Sequence, residues 1–191
     1  AKAIRVREGL AEVIKERCIS CGTCVQLCAA KAKLAESDIG IVWQLLGERQ
    51  PVIALLSAPF PAAFPELRPG QLVTALKKLG FSEVMEDSFG AEPVGREYAR
   101  LLSENNGKPI LSSTCPAVVF YIEKYYPQLI GNLAPIVSPM VAMGRVIKWQ
   151  YNPQAKVVFI GPCIAKKAES RDEKVAGVVD AVLTFSELKG I

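Results

Sequence analysis

The chain has 191 residues, half of them apolar, with 23 basic and 19 acidic side chains, a net charge of +4 and no histidine. That length buries a proper core and suits one ordinary domain plus a small appendage, and nothing in the composition resembles a disordered tract. The missing histidine excludes imidazole-ligated zinc, proximal-histidine haem and every histidine-based triad. The basic residues are scattered, as at Arg5, Arg7, Lys77 and Lys78. They form no stripe interleaved with aromatics, which argues against nucleic-acid binding.

Residues 1–48 read as a small helical and loop module. Leu10, Val13 and Ile14 follow helical spacing, and a second apolar stretch from Ile39 to Leu46 reads as a helix ending near Gly47. Between them lies a C-x2-C-x2-C-x3-C run: Cys18, Cys21, Cys24 and Cys28. Gly22 permits a tight backbone, and Ser20 and Thr23 are small enough to leave room for inorganic sulfide. Such runs ligate iron–sulfur clusters, here a [4Fe–4S] cluster. The alternatives are a four-cysteine zinc site, which normally uses two separated knuckles, and a set of merely buried cysteines. Whether Cys28 closes the same cluster stays open, since in two-cluster ferredoxins the fourth cysteine serves the other cluster.

From residue 49 the pattern changes. Strands are expected at 52–57, 83–87, 109–113, 156–160 and 179–184. Helices are expected at 69–79, 92–104, 117–126 and 139–150. Pro69 suits a first helical turn and Gly80 a helix stop. Alternation of this kind predicts an α/β domain over 49–191, a largely parallel sheet with helices on both faces. Ligand sites in such sheets gather beyond the carboxyl ends of the strands. Three loops fall there: Ala58-Pro59-Phe60-Pro61, Thr114-Cys115-Pro116 and Gly161-Pro162-Cys163. The last two cysteines are thereby expected on one sheet edge. The final residues, Ser186 to Ile191, look like a helix beginning, which suggests a piece of a longer protein.

The segments Ser112-Ser113-Thr114-Cys115-Pro116-Ala117-Val118 and Gly161-Pro162-Cys163-Ile164-Ala165-Lys166-Lys167-Ala168-Glu169 resemble the first two signature motifs of the [FeFe]-hydrogenase large domain, T-S-C-C-P-x-W and M-P-C-x-x-K-x-x-E. Phe89-Gly90-Ala91, Tyr125-Tyr126-Pro127, Asn132-Leu133, Ser138-Pro139 and Asp180-Ala181-Val182 agree as well, so the resemblance covers residues 52–191. It implies the H-cluster, a [4Fe–4S] cubane joined through one cysteine to a two-iron subsite bearing CO and cyanide. Carried over, Cys115 and Cys163 match cubane ligands and Lys166 matches the cyanide-binding lysine. Ala58 and Pro59 match backbone contacts to the other cyanide, and Pro139 lies in a supporting loop.

The third motif, with the last two cubane cysteines, does not occur in these residues. Thr114 stands where the family's proton-relaying cysteine stands, Gly161 replaces a methionine, Met140 a glutamine and Val118 a tryptophan. Tyr98 and Leu101 occupy positions expected for relay glutamates. A hydroxyl has a far higher pKa than a thiol and relays protons poorly near neutral pH. This combination resembles the family's sensory subgroup, whose chains carry a PAS-type regulatory module. The resulting expectation is a cytoplasmic, hydrogen- or redox-sensing protein working with a redox partner or a downstream signalling domain, handling H2 and protons. A catalytic hydrogenase, a narfin-type assembly protein and a plain ferredoxin-type carrier are the alternatives. Plainer readings stand beside these. Lys166-Lys167 is an ordinary solvated pair, Glu123 and Lys124 are surface, Tyr121, Tyr125 and Tyr126 are helix packing, and Met140 and Met143 are core.

Overall fold

A computed structural model describes residues 2–105 and 107–191. Its centre is a four-stranded parallel sheet in the order β4-β3-β5-β6, formed by Val52–Leu56 (β3), Glu83–Glu86 (β4), Lys156–Gly161 (β5) and Ala181–Thr184 (β6). The two central strands are continuous apolar runs, and β3 is buried along its whole length. That is the pattern of strands covered on both faces. Two apolar clusters lie on the two sides of the sheet. One joins Ala54, Leu56, Val158, Ile160 and Leu183 to Leu72 and Leu76. The other joins Ile53, Leu55, Val157 and Phe159 to Met140, Val141 and Ile147. The expected α/β architecture is the one observed.

The helices follow from local signals. Pro69–Leu79 (α4) begins where the Arg68 amide donates to the Gln71 Oε1 at 2.8 Å, and it stops at Gly80, whose φ of 113° is left-handed. Ser88–Glu104 (α5) starts four residues earlier than expected. It packs tightly on Pro139–Val146 (α7), because a Cβ at Gly90 would stand 2.6 Å from the Pro139 carbonyl oxygen. Pro116–Tyr125 (α6) and Ala165–Ser170 (α8) pack on each other, and Phe185–Leu188 (α9) closes the chain. Among the described residues no helix is long and apolar enough to cross a membrane.

Two expectations are corrected. Leu10, Val13 and Ile14 do not belong to a helix. Ile4–Arg7 (β1) and Leu10–Val13 (β2) form an antiparallel hairpin in which Arg7 pairs with Leu10. Glu8 and Gly9 both have positive φ, 51° and 77°, as a two-residue hairpin loop whose twist matches its strands requires. The segment 109–113 is not a strand of the sheet. Leu111 makes a single bridge to Leu133, with its amide donating to the Asn132 carbonyl at 2.7 Å. Its backbone is satisfied by the loop after α6, so no sheet position remains for it. Three short α-helices were not expected at all, Thr23–Gln26 (α1) within the cysteine run, Phe60–Ala63 (α3) after β3 and α8 after Cys163.

The helix Ile39–Gly47 (α2) exists as expected, and its Val42 and Leu45 sit in the same cluster as β3 and β6. Just before it, Asp38 is 2% exposed. Its carboxylate accepts from the Val182 amide at 2.9 Å and from the Arg171 guanidinium at 2.6 Å. The buried Lys167 ammonium donates to the Val182 carbonyl at 2.7 Å and to Glu187 at 3.1 Å. Two side chains thus satisfy the N–H and C=O of Val182 on edge strand β6, which blunts that edge against pairing.

Glu187 closes this network. Burial alone would raise its pKa, but hydrogen bonds from Thr184 and Lys167 outweigh burial and hold it below the usual carboxylate range. A depressed carboxylate stabilises the fold above its unfolded-state pKa and loses that contribution as pH falls through its folded-state pKa. Thermal melts over acidic pH therefore show a smaller acid-induced loss in Glu187→Gln than in the parent protein. Parallel pH profiles for the two would remove this role.

Candidate iron–sulfur and hydrogenase-like site

The cysteine run folds as a loop whose turns need unusual backbone. Ser20 and Gly22 have φ of 57° and 77°. The Ser20 amide lies 3.4 Å from Cys18 Sγ, and Cys21 Sγ lies 3.2 Å from the Thr23 hydroxyl. The Thr23 hydrogen bond draws the Cys21 thiol pKa down, and the Ala32 amide does the same for Cys28. Both favour the thiolate that a metal requires. All six cysteines are free thiols. The four sulfurs do not converge, however: among the described residues no three Cys, Asp or Glu side chains stand close enough together to hold a metal ion. The thiol-only donor set, the amide aimed at sulfur and the left-handed turns fit an iron–sulfur cluster, whose binding requires the side chains to rotate inward.

The loop is seated on the α/β domain. The Lys124 ammonium, near the end of α6, donates to the carbonyls of Lys15 at 3.0 Å and Cys18 at 2.7 Å. The Tyr125 hydroxyl donates to the Arg17 carbonyl at 3.0 Å. A Cβ on Gly22 would come 2.9 Å from Ile164 Cδ1. The residue after Cys163 therefore touches the middle of the first cysteine run.

Two of the three expected loops do lie at the carboxyl edge of the sheet. Ala58 and Pro59 follow β3, and Cys163 follows β5, its parallel neighbour. Cys115 reaches the area differently, from the N-terminal end of α6, which packs on α8 just beyond Cys163. Cys115 is exposed and Cys163 half-buried. A cavity of about 440 Å³ opens nearby, between α6, the segment 133–138 and the segment 169–175; Ala58, Pro59, Cys115, Cys163 and Lys166 are not among its lining residues. Ser113 and Pro116 line one side, Glu169 and Asp172 another, and Ser138 a third. Ser138 is buried, and among the described residues its hydroxyl has no hydrogen-bond partner. Pro139, next to it, opens α7.

Lys166 and Lys167 are not a solvated pair. Lys166 pairs with Glu169 at 2.7 Å with both side chains largely shielded, and Lys167 turns the other way into the Asp38 network. Lys166 therefore stays with Glu169, which lines the cavity, while the cations lining the cavity itself are Arg145 and Lys174. The Lys166 charge is matched here by the Glu169 carboxylate. The loop after β3 is less open than the resemblance implies. The Ala58 amide already donates to Asp87 Oδ1 at 3.0 Å, and Pro59 has no amide hydrogen.

Asp87 was missed by sequence reasoning. It stands between β4 and α5, accepts also from the Ser57 hydroxyl at 3.1 Å, and so fixes the corner that carries Ala58. An acidic residue directly before a helix start was the available signal. Tyr98 has more than the substituted relay position to itself. Its hydroxyl lies 3.0 Å from Ser113 Oγ and 3.3 Å from Ser112 Oγ, and it accepts from the Ser113 amide at 2.9 Å. Ser112 Oγ in turn lies 2.9 Å from Thr114 Oγ1, while Ser113 Oγ donates to the Ile136 carbonyl at 2.5 Å. A chain of hydroxyls therefore leads from Thr114 and ends on a backbone carbonyl.

The comparisons agree with this geometry. Residues 50–191 match the family described as iron only hydrogenase large subunit, C-terminal domain. The NADP-reducing hydrogenase subunit HndD of Solidesulfovibrio fructosivorans is 33% identical over 90% of this chain and 34% of its own length. The cytosolic Fe-S cluster assembly factor NAR1 of Kluyveromyces lactis is 34% identical over 56% of this chain and 25% of its own. The fold matches a solved variant of the apo [FeFe]-hydrogenase HydA1 from Chlamydomonas reinhardtii with a TM-score of 0.73 at 24% identity, over 81% of this chain and 47% of that one. The chain thus spans only a quarter to a third of those two curated relatives. On the family match over most of its length, together with the parallel sheet that places the same loops, this chain belongs to the family of iron-only hydrogenase large subunits, within their C-terminal domain.

Proposed function

We propose that this chain is the cluster-bearing and electron-entry part of a hydrogenase-related protein that senses hydrogen or redox state rather than turning hydrogen over rapidly. The observation that carries the reading is the hydroxyl chain beginning at Thr114 and ending on the Ile136 carbonyl. Every member is a hydroxyl rather than a thiol or carboxyl, so the chain holds the loop in place but moves protons poorly. When bound, the cluster at Cys18, Cys21, Cys24 and Cys28 supplies one-electron transfer, and the H-cluster supplies hydrogen binding. This chain's share is to seat the first cluster against Ile164, beside Cys163, through Lys124 and Tyr125, and to offer Cys115, Cys163 and Lys166 to the second site. Two further cubane cysteines are needed, and the six cysteines here do not include them. Pro139, Ala58 and Pro59 shape the surrounding loops.

A redox partner protein or a downstream signalling domain would receive the electron, and the setting is the cytoplasm. Hydrogen exposure is the discriminating experiment, on a form of the protein that carries all four cubane cysteines and the matured cofactor. The sensing reading predicts that hydrogen reduces the 18–28 cluster while turnover stays slow. Rapid turnover would identify a catalytic hydrogenase. Failure to take up the two-iron subsite or respond to hydrogen would favour an assembly role, the reading suggested by the similarity to NAR1.

A further inference from the structure

We propose that Lys124 sets the reduction potential of the cluster held by the 18–28 run, raising it through a charge supplied from the α/β domain. The proposal rests on the cluster reading of that run. Lys124 stands on α6, more than ninety positions beyond the run, yet its ammonium is 2.7 Å from the carbonyl of the ligand residue Cys18 and 3.0 Å from that of Lys15. Neighbouring Glu123 is engaged elsewhere, pairing with Lys174 at 2.6 Å. The Lys124 charge is therefore directed at the cysteine run. Around it, Tyr125 holds the Arg17 carbonyl and Ile164 abuts Gly22, so the loop is gripped on two sides and the ammonium has a fixed place beside it.

A cluster gains one negative charge when it takes up an electron. A cation near its ligands stabilises the reduced form more than the oxidised form, and the potential rises. The cations that flank the run in sequence, Lys15, Arg17, Lys31 and Lys33, act in the same direction. Lys124 differs in coming from outside the module. It makes the cluster easier to reduce when the loop is docked than when it is free. The side chain is exposed, so solvent and salt reduce its effect without abolishing it.

The test is a redox titration of the anaerobically reconstituted 191-residue protein, reduced with dithionite and followed by visible absorption and EPR. At a fixed poise, Lys124→Met is expected to lower the ratio of reduced to oxidised cluster about threefold, or ~28 mV at 59 mV per decade for one electron. Lys124→Gln, which keeps hydrogen-bond donors without charge, falls equally. Lys124→Arg and the remote Lys77→Met leave the potential unchanged. The difference shrinks in 1 M salt, where the screening length is ~3 Å. A parent-like potential in Lys124→Gln alongside a lowered one in Lys124→Met would overturn the proposal, because the side chain would then act as a staple alone. So would parent-like potentials in both. Absence of iron from the parent protein would instead bring down the cluster reading itself, and with it the proposal.

Discussion

Asp38→Ala lowers stability by about 3 kcal/mol and the melting temperature by about 6–12 °C. Removing one member of a buried charge network typically costs ~3–5 kcal/mol, because the remaining groups stay desolvated without a partner. Asp38 has three partners: the Val182 amide at 2.9 Å, Arg171 at 2.6 Å and Lys167 at 3.8 Å. Lys167 keeps Glu187 at 3.1 Å and Arg171 keeps Glu36, which places the loss at the lower end. The Val182 amide keeps nothing, and a buried donor without an acceptor costs about 1–3 kcal/mol by itself. A shift of 1 kcal/mol corresponds to roughly 2–4 °C in a domain of this size. Asp38→Asn retains an oxygen for Val182 and melts between the two. An Asp38→Ala protein melting within about 2 °C of the parent, the shift expected for less than 1 kcal/mol, would show that the network contributes little. The loss reaches function because the same network anchors α8, the helix that carries Lys166.

Thr114→Cys raises hydrogen turnover about tenfold to a hundredfold, in a form of the protein that carries the complete cubane ligand set and the matured subsite. A positioned acid–base group is worth roughly two to four decades in rate. A thiol with a pKa near ~8.5 both donates and accepts at neutral pH, whereas an alkyl hydroxyl does not deprotonate there. The increase stays below the full range for a structural reason. Among the described residues the path outward from position 114 runs through Ser112 to Tyr98, and from Tyr98 to Ser113, which donates to the Ile136 carbonyl. Leu101, one helical turn on, offers no titratable group. Hydrogen occupancy does not change, since binding needs no proton relay. The assay is hydrogen evolution with a strong reductant at equal cofactor loading. Equal rates in variant and parent would place the slow step elsewhere.

Much of the fold was legible in the sequence. Three of the sheet strands stood out as apolar runs, whereas β4 carries a glutamate at each end, and Pro69 and Gly80 bounded α4 as their backbone preferences dictate. The cysteine spacings singled out all six cysteines as candidate ligands. What stayed hidden depended on partners distant in the chain. The hairpin at 4–13 shows period-two alternation around Glu8-Gly9, but Leu10, Val13 and Ile14 imitate helical spacing over so short a stretch. Segment 109–113 has the composition of a strand, and only its bonds to Asn132 and Ala134 reveal that it lies off the sheet. Lys166 and Lys167 look like one solvated unit in sequence; burial on opposite sides separates them. Asp87, Tyr98 and Lys124 gained their roles from contacts across 14 to 109 positions, which no local pattern encodes.

Everything proposed for this chain depends on the run from Cys18 to Cys28 holding an iron–sulfur cluster. Metal analysis with EPR on the anaerobically reconstituted 191-residue protein tests this most directly. About four irons per chain are expected, with broad visible absorption and an EPR signal on reduction, lost in Cys18→Ser and retained in Cys115→Ser. Zinc without iron, in material kept anaerobic and supplied with iron and sulfide, would contradict it.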